Sequence, residues 1–257
     1  MRGKLAVVTG ASGGIGAEIV SALAADGHYV VAQYRSNEAK AAVLASEVSA
    51  CELVKADLAT AYGRSVLVDA VRQRASRSGL QVSALVNNAA KMLGPSFSEA
   101  TPEAFDEYVD INVKAPFFLT QTLSQDMRSG ASVVNISSAS AHIASAGDIV
   151  YAMTKAALES VTRNMAEALA PRGIRVNAVI PGFTNNGHAA FRNESAVAYM
   201  GSLSMLGGVA DPSAVADAVT FLVSERASRT TGATLDVTGG MTLHPRPHRQ
   251  SSVRNLL

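Results

Sequence analysis

Leu5-Ala-Val-Val8, Thr9-Gly-Ala-Ser-Gly-Gly-Ile-Gly16 and the Ala/Leu-rich run from Ala17 to about Ala25 together decide the fold. The four apolar residues read as a short buried strand. The glycine-rich segment reads as a turn, and the run after it as a helix ended by Gly27. A strand, a glycine-rich turn and a helix in that order make an anion site. Glycines let backbone N–H groups approach a phosphate, and the helix amino end points its positive pole at the charge. The glycines fall at 10, 14 and 16 with another at 13, which is not the G-x-G-x-x-G spacing. The Lys-Ser/Thr of a nucleotide-hydrolysing loop is missing as well. Four glycines within seven residues cost conformational entropy, and a bound phosphate is the expected compensation. Gly10, Ser12, Gly14, Ile15 and Gly16 are its candidate holders.

The next strand is Tyr29-Val-Val-Ala-Gln33, followed by Tyr34-Arg-Ser-Asn37. In dinucleotide-binding folds an acidic residue at this strand end holds the adenosine ribose hydroxyls, whereas an arginine accommodates a 2′-phosphate. Here Arg35 and Ser36 occupy the place. A guanidinium beside a hydroxyl suits a phosphate, so NADP(H) is expected over NAD(H). Glu52 to Ala56 is a third strand ending at Asp57-Leu58; the carboxylate either accepts from an adenine amino group or caps a turn. A helix from Tyr62 to Arg77 precedes a fourth strand, Ser83 to Val86, and Asn87-Asn88-Ala89-Ala90, whose small residues leave room for a flat ring.

Thr101-Pro102 starts a helix by cap and first-turn rules, expected through Tyr108 and Asn112 to about Met127. Pro116 interrupts it, having no N–H for the Asn112 carbonyl four residues earlier. Either Asn112 supports a water that leads protons to Lys155, or Pro116 is only a kink. Val133-Val-Asn-Ile136 reads as a buried strand, and Ser138 just beyond it can donate a hydrogen bond to a carbonyl oxygen. Met153 to Leu169 favours helix, which puts Tyr151 and Lys155 on one face, one turn apart. A free phenol titrates near ~10 and is a poor proton carrier at neutral pH; a nearby cation is expected to lower that value. Such a pair can give a proton to an alkoxide forming from a carbonyl, or take one from an alcohol. Arg175 to Ile180 is a further strand ending in Pro181-Gly182, Asp211-Pro212 starts another helix, and Thr234 to Val237 is the last strand. The segment 187–206 mixes apolar and polar residues irregularly and reads as a mobile lid. Residues from His244 onward look like a basic, unpacked tail.

With 257 residues, 48% hydrophobic and 17% charged, the chain suits one large α/β domain whose strands are covered on both faces. A net charge of +1 recommends neither nucleic acid nor a membrane surface as partner. The lone Cys51 excludes an internal disulfide and suits a reducing compartment. No apolar run reaches the length of a signal core or a membrane span, so a cytoplasmic protein is expected. No His/Cys/Asp cluster has ligand spacing, so no metal is expected.

Taken together, these residues resemble the short-chain dehydrogenase/reductase family, in particular its 3-oxoacyl-acyl-carrier-protein-reductase-like branch, over about residues 4 to 243. The resemblance rests on Thr9 to Gly16 as T-G-x-x-x-G-x-G, Asp57, Asn87-Asn-Ala, Asn112, Ser138, Tyr151-x-x-x-Lys155, Pro181-Gly182 and Asp236-x-x-Gly-Gly. It implies one doubly wound Rossmann domain (residues 1–243, tail 244–257) with helices on both faces. Seven parallel strands in the order 3-2-1-4-5-6-7 would carry a nicotinamide dinucleotide across their carboxyl ends. It also implies roles. Tyr151 is the acid/base, Lys155 holds the nicotinamide ribose and lowers the Tyr151 pKa, Ser138 orients the carbonyl, and Asn112 supports a proton-relay water. Pro181, Gly182 and Thr184 join the coenzyme contacts, and a homotetramer or homodimer is implied, built through the helices of Asn112 and Tyr151.

Three positions depart from the family pattern. Ala90 replaces a glycine, the usual threonine after Pro181-Gly182 is Asn186 with Thr184 displaced, and Gly208 stands where an arginine is common. The last weakens the case for an acidic acyl-carrier partner. The expected activity is hydride transfer between NADPH and a ketone or 3-oxoacyl thioester; the alternatives are an NAD-linked polyol or steroid dehydrogenase and a non-catalytic coenzyme sensor. The substrate pocket is expected to draw on Met92-Leu93, residues 140–144, Asp148 and the lid, with His142 and His188 as loop residues.

Overall fold

The computed structural model describes residues 3–243. The tail read from His244 onward therefore lies outside the described residues. Seven strands form one parallel sheet: β1 (Lys4–Val8), β2 (His28–Tyr34), β3 (Cys51–Lys55), β4 (Gln81–Asn87), β5 (Met127–Ile136), β6 (Arg175–Pro181) and β7 (Thr234–Val237). Their order is β3-β2-β1-β4-β5-β6-β7, as expected. Every pairing is parallel, so each crossover carries a helix over a face.

The two-residue period of a strand divides the core in two. Leu5 and Val7 of β1 point to one layer, which also buries Val31, Leu85, Val133 and Val176. That layer is closed by α3 (Ala61–Ser78), α5 (Ala115–Leu123) and α6 (Ile149–Leu169). Ala6 and Val8 point to the other, with Val30, Val86, Val134 and Val179, under α1 (Gly14–Ala25) and α8 (Pro212–Val223). Strands buried on both faces explain why β1, β2 and β6 are nearly continuous in apolar residues. The remaining helices are α2 (Glu38–Glu47), α4 (Pro102–Val109) and α7 (Glu194–Ser202).

Thr101 caps α4, its side chain accepting from Ala104 N, with Pro102 at the first position. The helix expected to continue to Met127 does not do so. A π-helical turn spans Asp110–Lys114, closed by Ala115 N–H on the Asp110 carbonyl, and α5 then runs to Leu123. Met127 opens β5 instead. The π turn sits where Pro116 has no N–H for the regular ladder, and such turns recur at functional sites.

Segment 187–206 is better ordered than its irregular pattern suggests. A 3₁₀ turn (Ala189–Arg192) leads into α7, capped by Asn193. Met200 and Gly201 are buried, and Leu203 joins a small satellite core with Ala139, Ile180 and Met241. No helix among the described residues is long and apolar enough to cross a membrane. Nor do they hold a group of three or more His, Cys, Asp or Glu side chains able to bind a metal.

Candidate functional site

The sequence-predicted residues gather at the carboxyl ends of the strands. Gly10, with φ +66°, turns the chain out of β1, and its Cα lies so close to the loop after β4 that a Cβ would meet Ala89 Cα at 2.8 Å. A Cβ on Gly14 would meet Asn186 Cα at 2.7 Å, so this glycine brings the loop after β6 against the amino end of α1. Thr9 and Asn88 hold the same seam. The Asn88 and Ala89 N–H groups donate to Thr9 Oγ1, both at 3.0 Å, and Asn88 Nδ2 donates to the Thr9 and Gly10 carbonyls.

Sequence reasoning missed one member of this frame. Gln33 Oε1 accepts from Gly10 N at 2.9 Å, and its Nε2 donates to the Ala56 carbonyl at 2.7 Å. A buried glutamine ending an apolar strand was the available signal, because its polar atoms must be satisfied somewhere.

These surroundings fit a nicotinamide dinucleotide. No side chain caps the amino end of α1, and no acidic residue stands in its first turn, which leaves N–H groups directed at an anion. Arg35 and Ser36 are exposed beyond β2. Asp57 Oδ1 accepts from Ala59 N at 3.1 Å, capping the turn after β3. Leu58 is buried among core residues, its carbonyl accepting from Arg64 Nη1 at 2.9 Å. Thr184 is buried, its hydroxyl donating to the Gly182 carbonyl at 3.2 Å. Thr184 and Asn186 both line one cavity with Pro181 and Gly182.

That cavity, about 220 Å³, also takes in Ser138, Tyr151 and Lys155. Ser138 stands two residues beyond β5, at the start of the crossover loop, and its hydroxyl acts on the Tyr151 phenol. Tyr151 lies in the first turn of α6, and Lys155 follows one turn on with 2% of its surface exposed. The Lys155 Nζ donates to the Ile136 carbonyl at 2.7 Å and sits 5.7 Å from the Tyr151 ring centroid.

The expected lowering of the phenol's pKa is corrected here. Burial pushes Tyr151 up to about 12; the Ser138 hydrogen bond works downward, and the charges of Asp148 and Tyr108 work upward. Burial likewise pushes Lys155 down to about 8. Desolvation disfavours both ionised forms at once, so the ammonium does not control the phenol as their spacing suggested.

Asn112 is fully buried in the π turn. Its Nδ2 donates to the Lys91 carbonyl at 3.0 Å and to Thr154 Oγ1 at 2.9 Å, while its Oδ1 accepts from Lys91 N at 2.9 Å. The side chain thus ties α6, between Tyr151 and Lys155, to the loop after β4. A second tie is Glu159, two turns beyond Tyr151. Its Oε1 accepts from Ser137 Oγ at 2.5 Å and lies 3.0 Å from His142 Nε2, so one carboxylate grips both sides of the loop that bears Ser138. This pairing was not legible in the sequence.

Residues 10–242 match the family model described as "Enoyl-(Acyl carrier protein) reductase". The chain is 40% identical to L-xylulose reductase of Mesocricetus auratus over 93% of its own length and 97% of that protein's. Among solved structures it resembles the angucycline C-6 ketoreductase LanV with bound NADP, at 38% identity and a TM-score of 0.90, covering 95% of this chain and 97% of that one. It also resembles LugOII, described as a promiscuous reductase catalysing keto-reduction at C1 during lugdunomycin biosynthesis, at 38% identity and a TM-score of 0.91 over 95% and 99% of the two chains.

Proposed function

The chain belongs to the short-chain dehydrogenase/reductase family of oxidoreductases, and we propose that it reduces a ketone or 3-oxoacyl thioester with NADPH, running in reverse as a secondary-alcohol dehydrogenase. The observation that carries this reading is the convergence of Ser138, Tyr151 and a buried Lys155, one helical turn from Tyr151, on a single cavity. When bound, the nicotinamide supplies the hydride. Ser138 orients the carbonyl by donating to its oxygen, and Tyr151 gives the proton that the new alkoxide needs. A phenol held up near 12 is protonated throughout the neutral range and so is charged with that proton beforehand. Lys155, one turn away, holds the nicotinamide ribose. The Asn112 carbonyl, to which Pro116 can give no N–H, holds the water that resupplies protons.

Coenzyme choice is read from Arg35 and Ser36 in the place of a ribose-binding carboxylate. The NADP named with the LanV structure supports it. Gly10, Ser12, Gly14, Ile15 and Gly16 cradle the pyrophosphate, with Asn88, Ala89 and residues 181–184 along the nicotinamide half. Residues 1–243 are proposed as the catalytic unit. A homotetramer or homodimer is proposed through the face where Phe117, Phe118 and Met153 are exposed.

The test is oxidation of NADPH against a panel of ketones. Turnover should fall by roughly 10²–10⁴-fold in Tyr151→Phe, with coenzyme binding retained. Coenzyme binding without turnover of any ketone defeats the proposal.

A further inference from the structure

Two cavities meet at a wall of two side chains. The one that takes in Ser138, Tyr151 and Lys155 holds about 220 Å³. A second, of about 490 Å³, lies between residues 204–208 and 236–241, at the end of β7. Among the described residues only Phe183 and Met200 line both. The second cavity is therefore the space that the first would gain if these two side chains were smaller.

The wall is held on each side. The Phe183 carbonyl accepts from Ala210 N at 2.9 Å, and Asn185 N donates to the Ala210 carbonyl at 3.0 Å. The Phe183 side chain packs against the satellite core of Ala139, Ile180, Leu203 and Met241. Ala139 follows Ser138 and Ile180 precedes Pro181, so the wall stands beside the residues that flank the reacting carbonyl. Met200 is 2% exposed within α7. Behind them, Leu206 N and Ser204 Oγ both donate to the Gly239 carbonyl, at 3.1 and 3.2 Å, which keeps the second cavity in shape. Side chains packed in this way resist an intruding methylene, because their neighbours have nowhere to move. The first cavity has an open boundary too. Met92, 48% exposed, and the exposed His188 also line it.

We infer that Phe183 and Met200 determine specificity by limiting one of the two substituents of the ketone. With the carbonyl oxygen at Ser138 and Tyr151, one substituent runs to the open boundary and the other stops at the wall. This rests on the reductase reading above and narrows it to unsymmetrical ketones with one short substituent, methyl ketones foremost.

The experiment measures kcat/KM with NADPH for three pairs of isomers: 2-pentanone and 3-pentanone, 2-heptanone and 4-heptanone, 2-nonanone and 5-nonanone. Each pair shares its formula, so the ratio of methyl ketone to symmetric ketone reads where the carbon sits rather than how much of it there is. In the parent chain this ratio should rise by roughly tenfold or more from the pentanones to the nonanones. Phe183→Ala and Met200→Ala should each lower the nonanone ratio by roughly threefold or more, since they join the two cavities. Phe191→Ala, at a side chain that lines the first cavity and not the second, should leave it unchanged. Where an alanine variant folds poorly, Phe183→Leu or Met200→Val takes its place, with a smaller fall in the same direction. The inference alone is overturned by a parent ratio that stays flat across the three pairs. It is equally overturned if no folded variant at Phe183 or Met200 lowers the ratio, or if Phe191→Ala lowers it as much. Turnover of no ketone with either coenzyme overturns the reductase reading, and the inference with it.

Discussion

Ser140 donates twice to the hydroxyl oxygen of Ser138, from its own Oγ at 3.0 Å and from its backbone N–H at 3.2 Å. A serine hydroxyl has two lone pairs and one proton. With both lone pairs engaged, the Ser138 proton has to point outward, toward Tyr151 and any carbonyl beside it. Ser140 is thus a positioning residue that sets which way Ser138 donates. Ser140→Ala should lower kcat by roughly tenfold with little change in KM for coenzyme, consistent with losing one hydrogen bond of about 1 kcal/mol. Ser140→Thr should restore most of it. Equal kcat in the parent and Ser140→Ala would remove this role.

Lys155 carries a stability cost with a definite sign. Its pKa in the folded chain is pushed down to about 8 from an ordinary 10.5. Below that folded value the lysine is charged and buried at an energetic cost. Between the two values the unfolded chain binds the extra proton, so this contribution to stability rises with pH. Lys155→Met should be inactive yet gain stability at pH 7 relative to the parent. That advantage should shrink by an amount on the order of 3 kcal/mol, at most, by pH 10.5. Denaturant titrations of both proteins across this range measure the change; a difference independent of pH would contradict it.

Glu159 secures the carbonyl-binding loop. Its side chain is 8% exposed, and one oxygen serves both Ser137 and His142. Glu159→Ala strands two donors and should cost about 2–3 kcal/mol. Glu159→Gln keeps a carbonyl oxygen in place and should cost less than half as much. Chemical denaturation ranks the two variants. Activity should follow the same order, since Ser138 lies inside the braced loop.

Arg35 should govern coenzyme choice. It is exposed beyond β2 and forms no ion pair with another described residue. Arg35→Ala should raise the KM for NADPH by about 10–100-fold and leave that for NADH nearly unchanged. Raised salt should weaken NADPH binding by the parent chain more than by the variant. A parent chain that prefers NADH would reverse the assignment.

The elements were legible wherever a local rule governs. Thr101-Pro102 and Asp211-Pro212 start helices because a side-chain acceptor and a proline answer the needs of a helix amino end. The alternation of Leu5 and Val7 with Ala6 and Val8 followed from strand geometry. The helix within segment 187–206 was not legible because α7 is only nine residues long, too short to display a helical period. Its order comes from docking Met200 and Leu203 onto residues distant in sequence. The π turn was equally hidden: Pro116 signals a disturbance in the ladder but not the form the repair takes.

Spacing alone put Tyr151 and Lys155 one turn apart, because α-helical geometry is the same in every chain, and it put the glycines where a phosphate could approach. The tertiary structure decided the rest: which way Ser138 donates, how Gln33 and Glu159 brace the loops, and in which direction the two ionisable groups shift. Those depend on distances between residues far apart in the chain and on how much water reaches them. A linear pattern carries neither.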